Sequence, residues 1–246
     1  MTGLRFRAAI AISVAVLVMA VGGCSGQSES SSAPTSSASS SGTPDANPCH
    51  HLKPASGPTA AKFGAAQVTA GECEMSLLTL EGSFLPKLMQ AVTFAKADFA
   101  PFRAYMTPVA RRAWDADVAK LSASGIRDRN ALNAVLSLTY VDVAGHTAYT
   151  LGNSTTTQPV SQRKLLSGRV RLVSVHGTPR LRVALKISFR FNLTDRRSGR
   201  PVSVDGTKAV AYTLAPNPGG AKDKPFLIDG WQGASRFGKV KAASTG

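Results

Sequence analysis

This chain of 246 residues is short of acid: 14 Asp and Glu stand against 29 Lys and Arg, a formal net charge of +15. Aromatic residues make up only 7%, and there are four histidines and three cysteines. The chain carries no Gly-x-Ser-x-Gly elbow, no phosphate-cradling glycine loop and no His-Glu zinc motif, which excludes the common sequence routes to a serine hydrolase, a nucleotide enzyme or a zinc protease. No cofactor motif is visible, so none is expected. No internal repeat is visible either.

The longest apolar run is also short. Arg5 and Arg7 precede an apolar stretch over residues 8–21 that ends in Val21-Gly22-Gly23-Cys24. A basic start, a run shorter than the ~20 residues of a membrane span and small residues before a cysteine are the marks of a secretory signal with a lipobox. Small residues let the peptidase seat the chain and cut ahead of a lipid-bearing Cys24. The expected address is the extracytoplasmic face of the cell membrane, held by lipid on Cys24. Loss of Arg5 and Arg7 with residues 1–23 lowers the formal charge from +15 to +13. At that address the abundant anions are lipid head groups, phosphate-bearing glycopolymers and acidic polysaccharides, so these rather than nucleic acid are the expected partners of the charge.

Cys49 and Cys73 remain as an even pair in an oxidising compartment, and a disulfide is expected. With His50 and His51 they could also form a four-ligand set, but that spacing matches no common zinc pattern. Residues 24–46 are dominated by Ser with Ala, Thr, Gly and Pro. They cannot bury enough apolar surface to offset ordering entropy, and read as a disordered tether. Residues 47–82 read as a disulfide-linked N-terminal extension, residues 83–238 as the main domain and residues 239–246 as a flexible tail.

The main domain divides into helices and then strands. Residues 83–99 place Leu85, Leu88, Met89, Val92 and Phe99 at helical spacing, with Ser83 as cap and Pro101 as stop. Thr107 as cap, Pro108 at the first helical position, then Trp114, Val118 and Leu121, with Gly125 closing, predict a second helix. A strand pair is expected at residues 135–143 and 147–151, turning at Ala144-Gly145. From Leu181 to Leu193 apolar and polar residues alternate without a break, apolar inside and basic outside. A hairpin through Gly177-Thr178 pairs residues whose numbers sum to 355, so that Val170 meets Leu185 and Arg169 meets Lys186. One face then carries Arg169, Arg171, Arg182, Lys186 and Arg190, a candidate anion-binding stripe. Further strands are expected at residues 208–214 and 226–231.

Two helices, a strand pair, a meander of long antiparallel strands and the closing Phe226-Leu227-Ile228-Asp229-Gly230-Trp231 resemble the nuclear-transport-factor-2-like (NTF2-like, cystatin-like) domains of actinobacterial secreted and membrane-anchored proteins, over residues 83–238. The resemblance implies an α+β fold in which N-terminal helices pack in a curved antiparallel sheet, a cone whose mouth holds a hydrophobic ligand or a partner. This scaffold hosts enzymes and inert modules alike. For catalysis the weak candidates are Asp229, able to face the cone where burial would raise its pKa, and His146 near Tyr140 and Asp142. The bland readings are a strand-end Asp at the Gly230 turn and a solvated turn His. The expected function is a non-catalytic binding or accessory lipoprotein for a lipid-like ligand, an anionic wall polymer or a partner protein. The alternative is a small NTF2-like hydrolase or isomerase using Asp229.

Overall fold

The computed structural model describes residues 48–246 apart from 86–87, 90–95, 125–126, 141–147, 153, 155–157, 221–223 and 244–246. A three-ten turn, Pro48–His51, leads into α1 (Gly57–Phe63) and α2 (Ala65–Leu80). Three-ten segments Gly82–Phe84 and Lys96–Tyr105 precede α3 (Pro108–Ser124) and α4 (Arg129–Leu136). The strands are β1 (Tyr149–Leu151), β2 (Val160–Val175), β3 (Thr178–Asp195), β4 (Pro201–Pro216) and β5 (Phe226–Ala242). The fold is α+β, as expected: one five-stranded antiparallel sheet curls strongly into a half-barrel around the helices. Both β1 and β2 pair with β3, β3 with β4, and β4 with β5. No helix among the described residues is long and apolar enough to cross a membrane.

Alternation in β3 decides which side of the sheet meets the helices. Leu181, Val183, Leu185, Ile187, Phe189, Phe191 and Leu193 are all buried, as are Val210, Tyr212 and Leu214 of β4. Against them pack Trp114, Val118 and Leu121 of α3, with Phe99 and Phe102 both edge-on to the Trp114 ring. Each such side chain withdrawn from water stabilises the fold by roughly 1.5–3 kcal/mol. A second cluster at the other end joins Phe84, Met89 and Tyr140 to Ile187, Phe189 and Phe191. Helix α2 is part of the first cluster: Val68 and Met75 pack with Trp114 and Leu181. Residues 47–82, expected as an extension, therefore supply a core helix. The Cys49–Cys73 disulfide, with Cα atoms 5.0 Å apart, ties the opening three-ten turn to that helix and uses both sulfurs that a metal site would need.

Helix α3 begins as expected, with the Thr107 hydroxyl accepting from the Ala110 amide at 3.2 Å. The helix expected over residues 83–99 is not one element. Ser83 is buried and donates its hydroxyl to the Leu138 carbonyl at 2.6 Å, so it does not cap, and Leu85 is extended. Among the described residues of this stretch Leu88 and Met89 are α-helical, and the three-ten segment that starts at Lys96 runs through Pro101 to Tyr105. The strand expected from residue 135 is also corrected. Val135 lies in α4, where Asp128 accepts from the Asn130 and Ala131 amides and Ala131, Leu132 and Val135 turn to the core. Its intended partner strand exists as β1, while Ala144, Gly145 and His146 lie outside the described residues.

The β2–β3 hairpin turns at His176-Gly177, one residue earlier than expected. Both have positive φ, 48° and 77°, the requirement of a tight I′-type turn that glycine meets without strain. Paired residue numbers sum to 353: Val175 meets Thr178, Val170 meets Val183 and Leu172 meets Leu181. The slide is two residues, so every side chain keeps its face. β5 runs on to Ala242, paired with Val202, so residues 239–242 belong to the sheet rather than to a tail.

Candidate anion-binding face

Outward positions on β2 and β3 carry the charge. The corrected register sets Arg171 directly opposite Arg182, Arg169 opposite Ala184 and Lys186 opposite Ser167, with Arg190 further along the same face. Arg169, Arg171 and Lys186 are exposed, and Arg182 is half-buried. The structure thus brings all five expected residues onto one face. It does not leave them equal. Arg190 donates to Asp205 at 2.7 Å, and Asp205 also accepts from Lys241 at 2.9 Å. No ion pair among the described residues engages Arg169, Arg171, Arg182 or Lys186. The Arg182 guanidinium is held below its ordinary pKa, first by partial burial and then by the like charge of Arg171. Like charges directly opposite on a strand pair destabilise a sheet. Folding by itself gains nothing from this pair.

Asp229 does not face the interior. It is the extra residue of a bulge in β5: Ile228 pairs with Leu214 and Gly230 with Thr213. The bulge lets Ile228 and Trp231 both point inward although three residues apart, and turns Asp229 out. There it accepts from Arg180 at 2.8 Å and from the Thr107 hydroxyl at 3.0 Å, with side-chain exposures of 17% for Asp229 and 19% for Arg180. Thr107 also donates its amide to the Ile228 carbonyl at 2.9 Å. The carboxylate therefore fastens the start of α3 to β5, a different role from either a general base or a bonder of the Gly230 turn.

Tyr140 is buried among Phe84, Phe189 and Phe191, its hydroxyl 2.7 Å from that of Ser235. Burial pushes its pKa up, against the partial relief of that bond. It keeps its proton and supplies packing. His146 lies outside the described residues, and so does Cys24.

One polar group was not foreseen. Lys208 is fully buried on the inner face of β4, its Nζ donating to the Leu136 carbonyl at 3.3 Å and standing 4.4 Å from the centre of the Tyr140 ring. Desolvation holds its pKa well below the ordinary value. It meets the carbonyl end of α4, where partial negative charge gathers. The signal was present: in the strand 208–214 Lys208 is in phase with Val210, Tyr212 and Leu214. Among the described residues no group of three His, Cys, Asp or Glu is placed to hold a metal ion.

No protein-family profile matches the chain, and no curated protein or solved structure does so either.

Proposed function

We propose that this protein is a non-catalytic envelope lipoprotein of NTF2-like architecture, anchored through lipid on Cys24, whose basic outer sheet face binds an anionic envelope glycopolymer. The observation that carries the reading is Arg171 opposite Arg182 with no acid between them, since a sheet gains nothing from holding like charges together unless an anion completes the site. The inner face supports the same choice. Trp114, Phe102 and Tyr212 are fully buried in one packed core cluster on that side of the sheet. Asp229 is engaged by Arg180 and Thr107 instead of standing free for chemistry.

The test uses the mature chain with Cys24→Ala, which removes the anchor, and a phosphate-bearing wall polymer. Affinity is expected to fall steeply from low to physiological salt, because exposed contacts are screened over about 8–10 Å. Charge reversal at Arg171 and Lys186 should reduce it further at fixed salt. Equal binding by the reversed variant would refute the role of this face. In cells, Cys24→Ala should move the protein from the membrane to the soluble fraction.

A further inference from the structure

At the far end of the basic face the sheet holds a groove of about 460 Å³, within the size range of small-ligand clefts. Two cross-strand rows build it. Ser188, Thr207 and Arg236 are in register across β3, β4 and β5, and Arg190 and Asp205 form the next row. Gln162 closes it from β2, at the register shift between Ser161 and Lys164. Gly206 lies in the floor, and the ring of Phe189 is packed so closely beneath it that a Cβ there would collide. Gln162 has φ of 53°, the left-handed region that a non-glycine residue occupies at a cost. Residues held in such conformations cluster at binding and catalytic sites, because the surrounding structure must over-determine them.

Resting on the anionic-glycopolymer reading above, we propose that this groove recognises a sugar unit of that polymer, an acidic saccharide such as a uronate, so that the face selects saccharide over other polyanions. The groove's chemistry separates the two. A plain anion needs only donors, and a carboxylate in the site repels it. A sugar offers hydroxyls that both donate and accept, and it needs both kinds of partner. Arg190 and Arg236 donate, Asp205 accepts, and Ser188, Thr207 and Gln162 do both. Asp205 has a side-chain exposure of 41%, and its two oxygens take one bond each from Arg190 and Lys241. Each oxygen keeps a lone pair for a sugar hydroxyl. The two bonds hold Asp205 below the usual carboxylate pKa, so it remains an acceptor at neutral pH. Arg182, Lys186 and Arg190 recur every fourth residue of β3, about 13 Å apart, giving the polymer a track of charge that ends at the groove.

The experiment measures binding of the mature Cys24→Ala chain to polygalacturonate and to polyglutamate of matched length, at one ionic strength. Polygalacturonate should bind at least about tenfold more tightly. The double variant Gln162→Gly with Thr207→Val should lower its affinity to the polyglutamate level without changing polyglutamate binding. Glycine takes a positive φ freely, so the first substitution removes the amide without new backbone strain. Free galacturonate should compete with polygalacturonate alone, a readout that needs no variant. Equal affinities, no competition by the monosaccharide, or a variant that loses both polymers alike would overturn the sugar site while leaving the basic face in place. Failure of both polymers to bind would overturn the sugar site, and failure of the phosphate-bearing wall polymer with them would overturn the function proposed above as well.

Discussion

Lys186 and Lys208 sit on neighbouring strands one step apart in register, Lys186 opposite Ala209 and Lys208 opposite Ile187, yet on opposite faces of the sheet. Lys186 is exposed on the outer face, among arginines. Lys208 has no exposure at all, lies against an aromatic ring and a helix carbonyl, and titrates well below its usual value. Residue type is the same and local chain conformation is the same. Which face a position occupies, set by a period of two, decides whether a lysine acts as a source of external field or as a desolvated plug in the core. The same division runs through the whole sheet. Inside, side chains hold the fold; outside, Arg171 and Arg182 accumulate charge that holds nothing.

The contrast is broken most violently from the inside. Trp114→Ala would open a cavity beneath β3 and should cost about 3–5 kcal/mol in denaturant unfolding. A cost below about 1 kcal/mol would mean that α3 does not close the half-barrel.

Lys208→Met comes next and has the opposite sign. It removes a buried, desolvated amino group while keeping volume, and should raise stability at neutral pH by about 1–3 kcal/mol, in the range seen when buried ionic groups give way to apolar ones. The pH dependence distinguishes this from generic packing. In the unfolded chain Lys208 holds its proton up to the ordinary value of 10.5, whereas folding lowers that value. Between the two values the unfolded state binds more protons, so native stability rises with pH toward 10.5 and is lost as pH falls through the window. The advantage of Lys208→Met should therefore shrink as pH approaches 10.5. An advantage constant with pH would place Lys208 in water.

Arg171→Glu should do least. It replaces a like-charge pair with an opposite-charge one across β2 and β3, and unfolding should shift by less than about 0.5 kcal/mol, toward greater stability. A large loss would show that Arg171 belongs to the packing of the sheet, and the two faces would no longer be separable.

Legibility followed the strength of the local pattern. β3 alternates over its whole buried length, and its faces were read correctly even though the hairpin register was two residues off, because a slide of two preserves facing. The cap at Thr107 and Pro108 is likewise a contact between near neighbours. The stretch from Ser83 failed because its helical spacing was real while its first hydroxyl was needed by Leu138, 55 residues away. Val135 failed because an apolar residue there suits a strand as well as the end of a helix capped upstream at Asp128. In the candidate site, the five basic positions were visible in the period. Their inequality was not, since the pairing of Arg190 with Asp205 depends on β4 lying beside β3.

By itself the sequence determined the periods: that a helix starts at Thr107 and Pro108, which residues of β3 face in, that an even cysteine pair is left once Cys24 is set aside, and that the excess charge falls on outward positions. These are decided between residues a turn or two apart, where chain geometry leaves little choice. Tertiary structure alone decided that α2 joins the main core, that a bulge at Asp229 turns it toward Arg180, that Lys208 is sealed beneath Tyr140 and α4, and that four strands assemble a groove around Gly206. Each of these depends on contacts between segments distant in the chain, whose closure is governed by how the curled sheet and the helices fill a common interior.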